Sequence, residues 1–314
     1  MNYYFSHART AFKYGLLNLG FKPGDSILIP DYICDVLLHP LKEIGVHYKY
    51  YSINDNFEPM WNKIENCIDN STKGLLMVHY FGQPQDIVSF QSFCKKHKLK
   101  LIEDNAHGFG GMYNGQILGT FGDMGITSIY KNINVISGGI LYLEDRKLVT
   151  NVELKQFPIL INQKLKVNAL KFPVYLIGFL KKLFLKRPKY EDLYSLKESP
   201  VSDYMIDEYS KKIIEYIDMD KFHNYRKDYY SKWESFAADN KLNPVFKNIH
   251  PDSNPWCFPA YVNNQQEAIN WFNWGWKNNV HVFSWPSLPK QIIENNKESV
   301  NRWKNLICFG ISKY

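Results

Sequence analysis

The chain has 314 residues, 45% hydrophobic and 22% charged, with a formal net charge of +7. That balance belongs to a globular protein long enough for two domains, and it excludes a disordered or fibrous polymer. The modest positive charge suits an anionic small substrate as well as a weak attraction to nucleic acid or membrane; no nucleic-acid-binding motif accompanies it, so no nucleic-acid partner is expected.

The five cysteines, Cys34, Cys67, Cys94, Cys257 and Cys308, are scattered, without metal spacing or a disulfide framework. The opening MNYYFSHART lacks the apolar core of a signal peptide. No uninterrupted apolar run approaches the ~20 residues of a spanning helix. A cytoplasmic protein is expected.

In chain order, the spacing of Ala11, Phe12, Leu16 and Leu19 predicts a helix over 10–19, stopped by Gly20 and Pro23. A strand over 26–30, a helix over about 34–44 and a strand over 46–53 follow. A helical segment over 61–67, a strand over 74–79 and a helix over 86–97 come next. The apolar run 99–102 reads as a buried strand, and further strands are expected over 125–130 and 140–143. Strands alternating with helices predict an α/β domain with a mostly parallel central sheet flanked by helices.

Residues 154–190 carry nine lysines and arginines and no acid, around the apolar run 172–180. Such a segment either lies on an anionic membrane surface or forms a helical excursion that covers the domain or a partner. Helical periodicity returns over 201–218 and continues in a connecting helix over 225–236. A smaller C-terminal α/β domain should hold strands over 258–262, 280–283 and 306–309 and a helix over about 265–276. The expected division is a large domain, 1–220, with the excursion at 151–200, and a small domain, 221–314.

The chemistry concentrates between residues 100 and 145. Asp104 follows the 99–102 strand, Ser128 and Lys131 stand at the end of the next one, and Ser137-Gly138-Gly139 turns the chain into a third. In open α/β sheets ligands bind just beyond the carboxyl ends of the strands. A carboxylate, a hydroxyl and a lysine placed there can hold a cofactor with a basic ring nitrogen, a phosphate and an aldehyde. Taken singly, each has other readings. Lys131 fits a solvated surface lysine as well as a nucleophile made neutral by burial. Asp104 fits a helix cap, an arginine partner, or the anion that keeps a pyridine nitrogen protonated.

Several motifs together resemble the DegT/DnrJ/EryC1/StrS family of pyridoxal-phosphate-dependent aminotransferases. His7-Ala8-Arg9-Thr10-Ala11 resembles the family's Ser-Gly-Thr/Arg-x-Ala turn, whose amides bind the cofactor phosphate, with Ala8 in place of the usual glycine. Counting from Pro30, Cys34 stands where many members stack an aromatic ring on the cofactor; Tyr32 is the alternative stacker. His79 through Asp86 resembles a further family loop. Glu103-Asp104-Asn105-Ala106-His107 resembles E-D-A-A-Q, with Asp104 for the pyridine nitrogen and His107 in place of the glutamine that donates to the ring hydroxyl. Gly115, Gly119, Gly122 and Asp123 match the glycine run before the lysine strand. Softer matches are Tyr225 to Tyr229 and the substrate loop at Trp285-Pro286.

The resemblance covers nearly the whole chain and implies the type I aminotransferase fold. It implies that Lys131 forms the Schiff base and acts as general base, that Ser128 binds phosphate, and that an amino group moves, by family habit from glutamate, onto a nucleotide-linked keto sugar. Such a product serves surface polysaccharide or a glycosylated metabolite. A homodimer sharing its active site is implied too. Lysine at position 131 favours transamination over the dehydratase branch, which carries histidine there. The interval from Ser128 to Lys131 is shorter than in many members, and the chain ends at Tyr314, before the last helix most members have. A degenerate relative that binds the cofactor or a nucleotide sugar without turnover is the competing class. No metal site is expected.

Overall fold

Apolar runs too short for helices alternate with amphipathic segments, and in the computed structural model those runs assemble into one nine-stranded sheet. The structure describes residues 1–144, 148, 154–159, 163, 190 and 202–314. The strands are β1 (Asn2–Phe5), β2 (Ser26–Pro30), β3 (His47–Tyr51), β4 (Thr72–Val78) and β5 (Lys100–Asn105). A hairpin of β6 (Met112–Tyr113) and β7 (Gln116–Ile117) stands apart from the large sheet. β8 (Met124–Ser128), β9 (Gly139–Leu143), β10 (Lys155–Gln156) and β11 (Tyr204–Met205) complete the set. The order is β10-β11-β1-β9-β8-β5-β4-β2-β3. β3, β2, β4, β5 and β8 are parallel, while β9 and β1 join antiparallel. The α/β fold with a large, mostly parallel sheet is therefore the one expected.

Helix α1 (Ala8–Asn18) lies on β8 and β9. Gly15 permits the approach, since a Cβ there would fall 2.3 Å from Met124 Cε. The helix Met219–Asp239, capped by the Asp218 carboxylate, leads to a second sheet of order β12-β13-β15-β14. Its strands are β12 (Asn243–Pro244), β13 (Cys257–Tyr261), β14 (Val282–Phe283) and β15 (Leu306–Gly310), all antiparallel. The main core runs without a break from the large sheet into Cys257, Trp285, Trp303, Leu306 and Cys308 of this second unit.

The local expectations differ from the structure at several points. β8 ends at Ser128, and 129–130 join Lys131 in a tight turn, Ile129–Lys131, because Ile129 and Ile133 both turn into a buried cluster with Val135 and Phe222. The helix expected over 34–44 divides into a 3-10 turn, Asp35–Leu37, and a helix, Leu38–Glu43. Over 201–218, Tyr204–Met205 is a strand and the helix is Glu208–Glu215, its start set by the Asp207 cap. Strand 280–283 shortens to Val282–Phe283. Not anticipated were β1, the short strands β6, β7 and β12, the strands β10 and β11 at one end of the large sheet, and the helices Lys290–Asn295 and Lys297–Asn305. The excursion over 151–200, and with it the membrane contact of 154–190, lies outside the described residues except at 154–159, 163 and 190. Among the described residues no helix is long and apolar enough to cross a membrane.

Candidate active site

The site forms where α1 begins and where β5 and β8 end. Phe5 of β1 and Ser128 of β8 both pair with Gly139, so the start of β9 sits beneath the first turn of α1. Gly139 is required there: a Cβ would lie 2.3 Å from His7 C and 2.4 Å from Ala8 N. No side chain caps the helix at His7, and no acid occupies the first turn. The leading amides and the dipole of α1 thus face the Ser128–Gly139 pair, an arrangement that favours an anion. Arg9 adds a cation whose Nε is buried without a hydrogen-bond partner and whose ionisation is weakened by burial, with Cys34 nearby. Gly139→Ala should press the new methyl into the His7–Ala8 peptide and destabilise the fold by about 1–3 kcal/mol. Thermal or denaturant melts check this; an unchanged midpoint would show that the turn is not tight.

His7 itself is partly enclosed, with Nδ1 3.1 Å from Ser6 Oγ. Burial, then the Arg9 charge, pulls it from 6.5 to about 4. Unfolded chain takes up this proton near pH 6.5, whereas folded chain resists until about pH 4. The stability His7 contributes is therefore present above pH 6.5 and lost on acidification toward pH 4. His7→Asn should flatten that part of the stability-against-pH curve, measured by urea unfolding between those limits.

At the end of β5 two adjacent carboxylates diverge. Glu103 is fully buried and bonded to His79 Nε2 at 2.9 Å, to Gly119 N–H at 2.9 Å, to Gly122 N–H at 2.6 Å and to Phe121 N–H. It pins the glycine loop that leads into β8. Asp104 points elsewhere. Its Oδ1 accepts the Ala106 N–H at 2.9 Å, and no hydrogen bond among the described residues engages Oδ2. Burial raises the Asp104 carboxyl above its ordinary value, opposed by the Lys131 charge, the Ala106 amide and His79.

Lys131 leaves its turn to face this carboxylate. Nζ lies 4.7 Å from the Trp256 ring centre and 5.8 Å from that of Trp285. Burial lowers its ionisation, while Asp104 and the thiols of Cys34 and Cys257 oppose the shift. A lysine so placed is neutral more often than one in water, which a nucleophilic amine requires. Asn132 ties the turn to the His107 carbonyl at 3.4 Å.

His107 is walled by aromatic rings: Trp256 stacks on it at 4.6 Å and Trp285 meets it edge-on at 4.5 Å. Its Nδ1 accepts the Phe81 N–H at 3.0 Å, and burial, then Lys131, holds the ring neutral. A neutral imidazole with Nδ1 accepting carries its proton on Nε2, so His107 is a donor at that atom. Phe81 donates from a left-handed backbone, φ 55°. That conformation costs a bulky residue about 1–3 kcal/mol.

The structure thus brings Lys131, Asp104, His107, Trp285 and Cys34 together, with Ala8, Arg9 and Ser128 at the α1 end. Burial raises the Cys34 thiol to about 11, and Lys131 lies close enough to oppose this. Tyr32 is not exposed to the site: it is fully buried, with its hydroxyl donating to the Trp285 carbonyl at 2.6 Å. Pro286 is buried behind Trp285, across a cis peptide bond. Sequence reasoning missed Trp256 and the Phe81 peptide. A tryptophan at a strand entry has no distinguishing spacing, and a left-handed phenylalanine has no sequence signal. Among the described residues no cluster of ligand side chains could hold a metal.

A family model described as the DegT/DnrJ/EryC1/StrS aminotransferase family matches residues 5–169. The chain is 24% identical over 317 residues to the GDP-perosamine synthase of Escherichia coli O157:H7, covering 95% of this chain and 84% of that protein. It is 31% identical over 142 residues to a UDP-N-acetyl-3-dehydro-alpha-D-glucosamine 3-aminotransferase of Acidithiobacillus ferrooxidans, covering 44% and 38% respectively. The fold matches S. venezuelae DesV, solved with a ketimine intermediate, at TM-score 0.69 and 17% identity over 99% of this chain and 79% of that one. It also matches the E. coli GDP-4-keto-6-deoxy-D-mannose-3-dehydratase, solved with hydrated PLP, at TM-score 0.67 and 18% identity over 100% and 84%.

Proposed function

The chain belongs to the DegT/DnrJ/EryC1/StrS aminotransferase family, and from this premise we propose that it is a pyridoxal-phosphate-dependent aminotransferase acting on a nucleotide-linked keto sugar. The named relatives act on nucleotide sugars. Glutamate is the proposed amino donor, and the amino sugar made would serve surface polysaccharide or a glycosylated metabolite. The observation that carries the reading is the half-buried amine of Lys131 in electrostatic range of an incompletely bonded carboxylate, Asp104.

The residues suit the cofactor. The amides of Ala8 and Arg9 and the Ser128 hydroxyl suit a phosphate, and the unpartnered Arg9 Nε adds charge. Asp104 suits a protonated pyridine nitrogen, Nε2–H of His107 a ring hydroxyl, and Cys34 one face of the ring. When bound, pyridoxal phosphate supplies an electron sink for negative charge on a substrate carbon. The protein's own part is acid–base work. Lys131, whose ionisation burial weakens, would be the amine that holds the cofactor's aldehyde carbon and, when free, the general base that carries the substrate proton. The Lys131 charge, the Ala106 amide and His79 oppose the burial that disfavours the ionised form of Asp104. Trp285 and Pro286 border the substrate side.

The proposed division is a cofactor domain, 1–220, and a small domain, 221–314, in a cytoplasmic homodimer that shares its pocket. The test is direct. Protein purified with pyridoxal phosphate should be yellow, borohydride should fix an adduct on Lys131, and glutamate should bleach the colour. Amino transfer to a panel of nucleotide-linked 3-keto and 4-keto-6-deoxy sugars should then identify the acceptor. Colourless protein without an adduct overturns the reading. A yellow protein that no amino donor bleaches keeps the cofactor but loses the aminotransferase.

A further inference from the structure

We infer that Arg226 is a positioning residue that holds the Trp256 indole over the Lys131 amine. Arg226 is fully buried in the connecting helix, and all its hydrogen bonds among the described residues go to main-chain carbonyls. Nε donates to Pro255 O at 2.9 Å; Nη2 donates to Pro255 O and Trp256 O, each at 2.6 Å. Nη1 reaches Ser312 O at 3.1 Å and Ile311 O at 3.5 Å. No carboxylate among the described residues pairs with it, and burial lowers the guanidinium to about 10.

An unpaired buried cation is a poor way to gain stability, since an apolar side chain of similar volume would avoid the desolvation. What the planar fork provides is geometry: one rigid group fixes two consecutive carbonyls from the outside. From the other side, the Trp256 N–H donates to Phe81 O at 3.0 Å. Phe81 is the same residue whose N–H orients His107. The strap 255–256 is thus held on both sides, and its indole lies 4.7 Å from Lys131 Nζ and stacks on His107. The other groups facing Lys131 are Asp104, His107, Cys34, Cys257 and Trp285. An indole face favours a cationic nitrogen. Trp256 therefore opposes the burial that pushes the Lys131 nitrogen toward neutrality, and Arg226 keeps it in place to do so.

This rests on reading Lys131 as the amine that joins the cofactor. The test is a visible-absorbance pH titration of the holoprotein in the wild type, Trp256→Leu, Arg226→Lys and the double variant, with thermal melts alongside. Leucine keeps the site apolar but removes the π face, so Trp256→Leu should lower the midpoint by about half a unit to one unit. Lysine at 226 keeps the charge and loses the fork, so it should shift the midpoint the same way, and the double variant should match Trp256→Leu alone. A direct charge effect, or a route through Ser312, would persist without Trp256, and that persistence overturns the inference. So does an unchanged midpoint in Trp256→Leu, or an Arg226→Lys variant that alters only the melting temperature. If Arg226→Lys does not fold, Arg226→Ala rescued by guanidinium gives the same comparison, and rescue of the midpoint should require Trp256. The pH profile of Lys131 acetylation by acetic anhydride in cofactor-free protein, read by peptide mapping, should show the same shifts. Absence of a visible band would count against the cofactor reading, while the acetylation profile still decides the role of Arg226.

Discussion

Replacing Lys131 with alanine is expected to lower amino transfer by about a thousand- to ten-thousand-fold and to abolish the visible band of the holoprotein. The magnitude follows from losing both the nucleophile and the positioned base. No other amine among the described residues faces Asp104 and His107: Lys13 is bonded to Glu43 and Asp203, and Lys100 to Asp123. The loss should fall on kcat, because alanine leaves the α1 end of the site and its anion preference untouched. Lys131→Arg should fail nearly as badly, since guanidinium does not give up its proton. Steady-state kinetics with glutamate and the preferred keto sugar check this. Activity within tenfold of wild type in Lys131→Ala would remove the lysine from the chemistry.

Asp104→Asn is expected to reduce kcat by about a hundred- to a thousand-fold while stabilising the cofactor-free protein at neutral pH. The first effect follows from removing the one anion placed to keep a ring nitrogen protonated, a preorganised electrostatic contribution. The second follows from its titration. Burial raises the folded carboxyl above its unfolded value of 3.8, so ionisation opposes folding. Stability linked to this group is therefore fully present below pH 3.8 and lost as the pH rises through the folded value. Asparagine escapes that loss, and a melting temperature higher by ~2–4 °C at pH 7 is expected, shrinking toward zero on acidification. Lys131 is the counterpart. Its lowered folded value means that stability is lost as the pH falls from the ordinary lysine range through the folded one, so the pair trades stability for a reactive site. A less stable Asp104→Asn protein at pH 7 would mean that the carboxylate is structural.

The neighbouring pair of acids shows how far local sequence reaches. Glu103 and Asp104 are adjacent, of one chemical kind and at the end of one strand, and alternation along β5 sends them to opposite faces. One becomes a fourfold-bonded pin for the glycine loop, the other a group with a free oxygen. Motif resemblance separates them; composition and periodicity do not. The short Ser128–Lys131 interval looks like a defect in a linear pattern. In the fold it is a compact turn anchored by Ile129 and Ile133, and Lys131 still lies within electrostatic range of the carboxylate.

By itself the sequence determined the alternation of strands and helices, the mostly parallel sheet and the residue types gathered between 100 and 145. These follow from short-range rules: apolar runs of strand length, helix caps such as Asp86, and glycine at turns. Tertiary structure alone decided the strand order, the antiparallel arrival of β1 and β9, and the contacts of Trp256, Phe81 and Arg226 around Lys131 and His107. Each depends on segments far apart in the chain, and nothing in a local window states which partners will meet. The left-handed Phe81 amide that orients His107, and the buried guanidinium that holds the indole strap, exist only because the surrounding packing imposes them.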